Sequence, residues 1–176
     1  YRLVSKLGTG GMGEVWRAEH QLLARHAAIK LVRLDVLADP AHATLIQERF
    51  RREAQTLAAL RSRNTSELYD YGGTQDGSFF FVMELLDGMD LNDYLAQWED
   101  KAHFFPIESI PAIFEPIVHT LDQAHGMGIV HRDLKAGNIY VMSPKHGGGV
   151  RLLDFGLAKL RETAGRERED DPQSDE

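Results

Sequence analysis

Four short stretches hold the residue types that could do chemistry: GTGGMG at 8–13, AAIK at 27–30, HRDLKAGN at 131–138 and DFG at 154–156. The first fits G-x-G-x-x-G, a loop that holds a nucleotide's phosphates because glycine lets the backbone approach them. A plain hairpin turn is the bland alternative, but four glycines in six residues exceed what a turn needs. Two architectures use the motif. A dinucleotide-binding fold opens a helix inside it, whereas the other places a strand after it. Lys30 in isolation reads as a solvated strand lysine. His125 and His131 stand six apart with no third ligand after them, so they do not read as a metal pair.

The elements around the glycine loop favour the strand. Only Glu14 separates Gly13 from Val15, and EVWRAEH shows no helical periodicity. YRLVSKLG, EVWRAEH and HAAIKLVRL read as strands, as do SELYDYGG and SFFFVMEL around the turn-like GTQDG. Residues 41–61 carry Leu45, Phe50, Ala54, Leu57 and Leu60 near helical spacing. A short helix is expected from about Asp90. A longer one is expected over 107–126, with Ile110, Ile113, Phe114, Ile117, Val118, Leu121 and Ala124 on one face. Ser109 is its expected cap and Pro111 fits the first turn, but Pro116 should kink it. Five strands with one helix, followed by mostly helical structure, predict a two-lobed α+β protein divided near Asp87–Gly88.

Composition narrows the function classes. The chain has 176 residues, no cysteine and a net charge of −7. Residues 162–176 hold seven acids against Arg166 and Arg168, which leaves the preceding body at −2. Nothing in that near-neutral body argues for the basic face a nucleic-acid footprint needs, so no nucleic-acid partner is expected. The acidic tail is expected to be disordered. The densest apolar run, FFFVM at 79–83, is far too short to cross a bilayer, so no membrane segment is expected within the chain. No signal-peptide pattern opens it, and the lack of cysteine suits a reducing cytoplasm.

Taken together, GTGGMGEV, AAIK, HRDLKAGN and DFG occur in one fixed order, and the chain resembles the eukaryotic-type serine/threonine protein kinases found in bacteria. The resemblance runs from residue 1 to about 160. It implies a five-stranded antiparallel N-lobe with one main helix over 1–87 and a partial, mostly helical C-lobe over 88–161. Residues 162–176 would begin an activation segment. It implies ATP and Mg²⁺ as cofactors and a protein substrate with a serine or threonine acceptor. Gly8, Gly10 and Gly13 would admit the phosphates, and Val15 and Ala28 would pack on the adenine. Lys30 would pair the α- and β-phosphates and a glutamate. Glu48 and Glu53 compete for that glutamate role and lie about 140° apart on a helix, so both cannot face Lys30. Glu53 shares a face with Phe50 and Leu57 and is preferred, with Glu48 at the surface.

Within VMELLDG, Met83 would flank the adenine pocket, and the backbones of Glu84 and Leu86 would read the adenine edge. Tyr140 would underlie the base, where the family often has an aliphatic residue. Asp133 would accept or orient the substrate hydroxyl's proton, and Lys135 would neutralise charge on the transferred phosphoryl. Asn138 and Asp154 would be oxygen ligands to Mg²⁺. His131 would be a packing residue, in a column with Phe155, Leu57 and Leu68. Arg132 marks the class whose activation loop is phosphorylated. Ala136 replaces the usual proline without removing a ligand. The A-P-E motif is absent from the sequence after DFGLAKL.

Three readings follow. The chain is a portion of an active kinase, a truncated kinase-like nucleotide-binding or regulatory module without catalysis, or a dinucleotide-binding oxidoreductase. The strand after Gly13 weighs against the last, and the intact set of catalytic residue types weighs against the second.

Overall fold

A computed structural model describes residues 1–10, 13–32, 48, 51–52, 54–55, 58–74, 78–99 and 105–155. Glu53, Leu57, Gly11, Met12 and the acidic tail therefore lie outside the described residues. The chain divides into two compact units. One comprises Tyr1–Leu57, Leu68–Leu85 and Leu157–Glu176, the other Ala58–Glu67 and Leu86–Gly156.

The first unit is a five-stranded antiparallel sheet: β1 (Arg2–Gly10), β2 (Gly13–His20), β3 (Arg25–Val32), β4 (Leu68–Gly73) and β5 (Phe79–Met83), in the order β1-β2-β3-β5-β4. Both faces are buried at the sheet's centre, where Ala27, Ala28, Ile29 and Lys30 are buried in succession. Ala18, Ala27, Ile29 and Val82 form a buried cluster, flanked by Leu31, Tyr69 and Phe80. The β2–β3 turn is closed by His20, whose Nδ1 accepts hydrogen bonds from the Leu22 and Leu23 amides. Helical residues include Glu48, Arg51, Arg52, Ala54 and Gln55, with Ala54 fully buried.

Gly13 is dictated by the sheet itself. It has φ +129°, and a Cβ there would lie 1.9 Å from the Leu31 carbonyl oxygen. Only glycine lets β2 run this close to β3. At Gly8 and Gly10 a Cβ would meet nothing within 4 Å.

The second unit holds helix α1 (Leu91–Glu99), helix α2 (Ser109–Gly126) and a small antiparallel sheet. That sheet pairs β6 (Gly88–Asp90), β7 (Ile139–Met142) and β8 (Val150–Leu152) in sequence order. Helical periodicity does not reveal these strands, and each is too short to show alternation of its own. Gly88 plays the part of Gly13 here: at φ +154°, an added Cβ would lie 2.1 Å from the Val141 carbonyl oxygen. Asp90 caps α1, its Oδ1 accepting from the Asn92 and Asp93 amides at 2.8 and 3.1 Å.

Two expectations for α2 change. Ser109 is its first residue rather than its cap, and the capping position, Glu108, makes no side-chain bond. The buried stripe is also narrower than the apolar one: Ile113, Ile117, Thr120 and Ala124 are buried, while Ile110, Phe114 and Val118 are 41%, 42% and 61% exposed. The helix continues through Pro116, whose carbonyl accepts from the Thr120 hydroxyl at 2.8 Å and from Asn64 Nδ2 at 3.3 Å. The Thr120 hydroxyl also meets Ser62 Oγ at 3.1 Å, and the Asn64 carbonyl accepts from the Leu152 amide at 2.6 Å. Residues 62–65 are thereby fastened to both α2 and β8.

Replacing Gly13 with alanine should destabilise the fold by roughly 2 kcal/mol or more, since either β2 or β3 must move. Gly8→Ala should stay within about 0.5 kcal/mol of the parent. Urea unfolding of both variants measures the difference.

Candidate active site

In the first unit the residues expected to meet a nucleotide fall on one face of the sheet. Val15 pairs with Lys30, and Ala28 pairs with Met83. Directly paired residues point to the same side, and every second residue along a strand returns to it. Val15, Ala28, Lys30 and Met83 thus share a face, opposite the one holding Ala18, Ala27, Ile29 and Val82. Lys30 is buried, at 6% exposure. Glu84 and Leu86 lie in the irregular stretch between β5 and β6 and are half-buried. Glu48 is exposed, with Arg52 at 3.9 Å, while its competitor Glu53 lies outside the described residues.

The second unit builds a hydrogen-bonded loop from HRDLKAGN. The carboxylate of Asp133 accepts from Lys135 Nζ at 2.8 Å and from Asn138 Nδ2 at 3.1 Å, both at Oδ2. Asn138 Nδ2 also donates to the Asp133 carbonyl at 2.6 Å. A single-turn 3-10 helix, Ala136–Asn138, gives the loop the curl that returns Asn138 to Asp133. Lys135, helped by Asn138, holds the Asp133 carboxyl below the usual carboxylate range, so it stays ionised.

His131 joins this loop to the DFG stretch. Its ring is 2% exposed and lies 4.7 Å from the Phe155 ring, centroid to centroid. The Asp133 amide donates to Nδ1 at 3.3 Å, so Nδ1 is unprotonated. Nε2 therefore carries the proton and donates to the Leu153 carbonyl at 2.8 Å. Burial pushes the imidazole pKa down, against the raising pull of the Leu153 carbonyl, Asp154 and Asp133. A second tie runs from the Leu153 amide to the Asn138 carbonyl at 2.8 Å. Leu153 is held from both sides, and Asp154 follows it directly.

Asp154 and Arg132 have φ of 59° and 65°. Left-handed backbone at a non-glycine residue is strained and survives where surrounding bonds over-determine it. Here those bonds are the two at Leu153 and the one from the Asp133 amide. Tyr140, on β7, donates its hydroxyl to the Gly88 carbonyl at 2.9 Å. Burial raises its phenol pKa, with Asp87, Asp90 and Asp93 adding to the effect.

The chemistry of these groups fits a nucleotide and a hard cation. Among the described residues, nothing would lie within 4 Å of a Cβ at Gly8 or Gly10, which leaves space on that side of the backbone. Both Asn138 side-chain bonds use Nδ2, so its amide oxygen takes no part in them. The Asn138 amide oxygen and the Asp154 carboxylate would be two oxygen donors, the number Mg²⁺ commonly takes from protein when phosphates supply others. Among the described residues, no group of three or more His, Asp or Glu side chains could hold a metal on its own.

Comparison with known proteins follows the same line. The profile of the protein kinase domain matches residues 1–170. The chain belongs to the protein kinase domain family. It is 36% identical over 162 residues to a probable serine/threonine-protein kinase PknB of Corynebacterium glutamicum, covering 90% of this chain and 23% of that protein. It is 36% identical over 168 residues to the serine/threonine-protein kinase PknA of Mycobacterium tuberculosis, covering 93% and 36%. The solved kinase domain of Mycobacterium tuberculosis PknI, as a double mutant, superposes with a TM-score of 0.73 at 28% identity, covering 88% of this chain and 60% of that one. The chain thus spans about a quarter to a third of the curated relatives named here and three-fifths of the solved domain. The kinase-family fold agrees with the α+β reading and sets aside the dinucleotide-binding alternative.

Sequence reasoning identified the motif residues but not what orients them. Nothing in a single sequence marks Arg132 for positive φ or pairs His131 with a carbonyl 22 positions later. The ring's pKa gives a sign for stability. His131 lies below its ordinary value of about 6.5 in the fold, so between the two values the unfolded chain binds more protons. The stabilisation is complete above pH 6.5 and falls away as pH drops toward the folded-state value. Denaturant unfolding at pH 7.5 and 5.5 should show wild type losing its advantage over His131→Phe in acid.

Proposed function

We propose that this chain is the nucleotide-binding and catalytic-loop portion of a serine/threonine protein kinase, using Mg·ATP to phosphorylate a protein hydroxyl. The observation that carries the reading is the Asp133 carboxylate, gripped through Oδ2 by Lys135 and Asn138 while Oδ1 takes neither bond.

That geometry supports the roles of Asp133 and Lys135, and the kinase resemblance supplies the others. With a lowered pKa, Asp133 is a weak base but a permanent acceptor, suited to orienting a substrate hydroxyl through Oδ1. Lys135, two residues on, brings a cation to charge building on the transferred phosphoryl, and its presence favours a serine or threonine acceptor. Asn138 and Asp154 would hold Mg²⁺, which when bound neutralises the phosphate oxygens and bridges them. Lys30 would engage the α- and β-phosphates, with Glu53 as its ion-pair partner. Gly8, Gly10 and Gly13 would let the backbone reach the phosphates. Val15, Ala28, Met83 and Tyr140 would enclose the adenine, whose edge the backbones of Glu84 and Leu86 would read. In this reading residues 1–87 are the N-lobe, 88–161 a partial C-lobe and 162–176 the start of an activation segment. Dependence on ATP suits a cytoplasmic site, and no helix among the described residues is long and apolar enough to cross a membrane.

One observation favours the second reading, a nucleotide-binding module without catalysis of its own. Ile110, Phe114 and Val118 form an exposed apolar stripe along α2, an area soluble proteins usually cover.

Saturating Mg·ATP should raise unfolding stability, by about 2.7 kcal/mol at a hundredfold excess over Kd. Lys30→Met and Asp154→Asn should each lose most of that gain. An equal gain in all three proteins would rule out the site assignment. The chain alone should turn over well below the roughly 1–100 s⁻¹ of ordinary kinases. A rate inside that range in a radiolabelled phosphate assay would rule out the need for further support.

A further inference from the structure

β1 presents a problem of placement. All nine of its residues are exposed, so apolar burial does little to hold it. Its pairing with β2 also slips twice, between Leu3 and Ser5 and between Lys6 and Gly8. The second slip falls immediately before the glycine hairpin. Something other than burial must fix the hairpin's stem.

Besides the backbone ladder with β2, three side chains contribute. Lys6 pairs with Trp16 across the ladder, and Glu14, two residues before Trp16, points to the same face. Both oxygens of the Glu14 carboxylate are used: Oε1 accepts from Lys6 Nζ at 2.7 Å, and Oε2 accepts from Trp16 Nε1 at 2.9 Å. The triangle closes with the Lys6 ammonium 5.3 Å from the centre of the Trp16 ring. The pair is partly shielded, with side-chain exposures of 41% for Lys6 and 24% for Glu14. Arg2–Glu19, at the far end of the same strands, is more open at 67% and 32%. Val15, between Glu14 and Trp16, points to the opposite face, so the triangle grips the stem from behind the side proposed for the nucleotide.

We propose that Lys6, Glu14 and Trp16 act as a clamp that fixes the stem of the glycine hairpin and so sets how tightly the chain holds the phosphates of a nucleoside triphosphate. The proposal rests on the kinase reading above. Glu14 is a positioning residue in it: it contacts the strands, and the backbone at Gly8 and Gly10 contacts the ligand.

Calorimetric titration of the whole chain with Mg·ATP and with adenosine tests the clamp. Glu14→Gln and Lys6→Met should each weaken Mg·ATP binding roughly two- to fivefold, and the double variant no further. Lys6→Arg, which keeps the charge and the ring contact, should bind as wild type. Adenosine, which has no phosphates, should bind all variants alike. At roughly 0.5 M KCl the ratio between wild type and Lys6→Met should approach one, because the pair is screened. Additive losses in the double variant, an equal loss for adenosine, or unchanged Mg·ATP affinity would overturn the proposal. If wild type binds no nucleotide, the kinase reading fails. Amide exchange then decides the clamp alone: Glu14→Gln should speed exchange at Thr9 and Val15, and unchanged exchange overturns it.

Discussion

A buried, neutral imidazole holds the candidate site together. His131 receives the Asp133 amide on one nitrogen and gives its proton to the Leu153 carbonyl from the other. Each bond fixes the identity of the other, since only the Nε2-protonated ring can make both. Protonation would remove the acceptor at Nδ1, and burial opposes the charge. The ring thus links the loop bearing Asp133 to the residue preceding Asp154. The strained backbone at Arg132 and Asp154, on either side of these bonds, depends on them.

Charge does the corresponding work at Asp133. The carboxylate keeps its charge because Lys135 and Asn138 donate to one of its oxygens, and the same two bonds fix its direction. Orientation and ionisation therefore have one cause. These bonds leave 40% of the Asp133 side chain accessible.

The glycines divide by physical cause. Gly13 and Gly88 are required by the chain's own strands, where a Cβ would meet a carbonyl oxygen. At Gly8 and Gly10 a Cβ would meet nothing within 4 Å among the described residues. The motif reading treated Gly8, Gly10 and Gly13 alike, as residues that admit a phosphate. The structure gives Gly13 a second duty in the packing of β2 on β3.

The sequence alone determined the β1–β5 strands, the helix from about Asp90, most of α2 and the residue types of the catalytic loop. Each is encoded by local pattern: an apolar run, helical spacing or a short motif. It did not determine the β6–β7–β8 sheet, whose strands are too short for periodicity to show. Nor did it determine which apolar residues of α2 are buried, because seven share a face and only what packs there selects among them. The Lys6–Glu14–Trp16 triangle, the two bonds at Leu153 and the positive φ of Arg132 and Asp154 were decided by tertiary structure. These features join residues distant in sequence or strain a backbone that local preference opposes, and only the folded chain supplies the contacts that hold them.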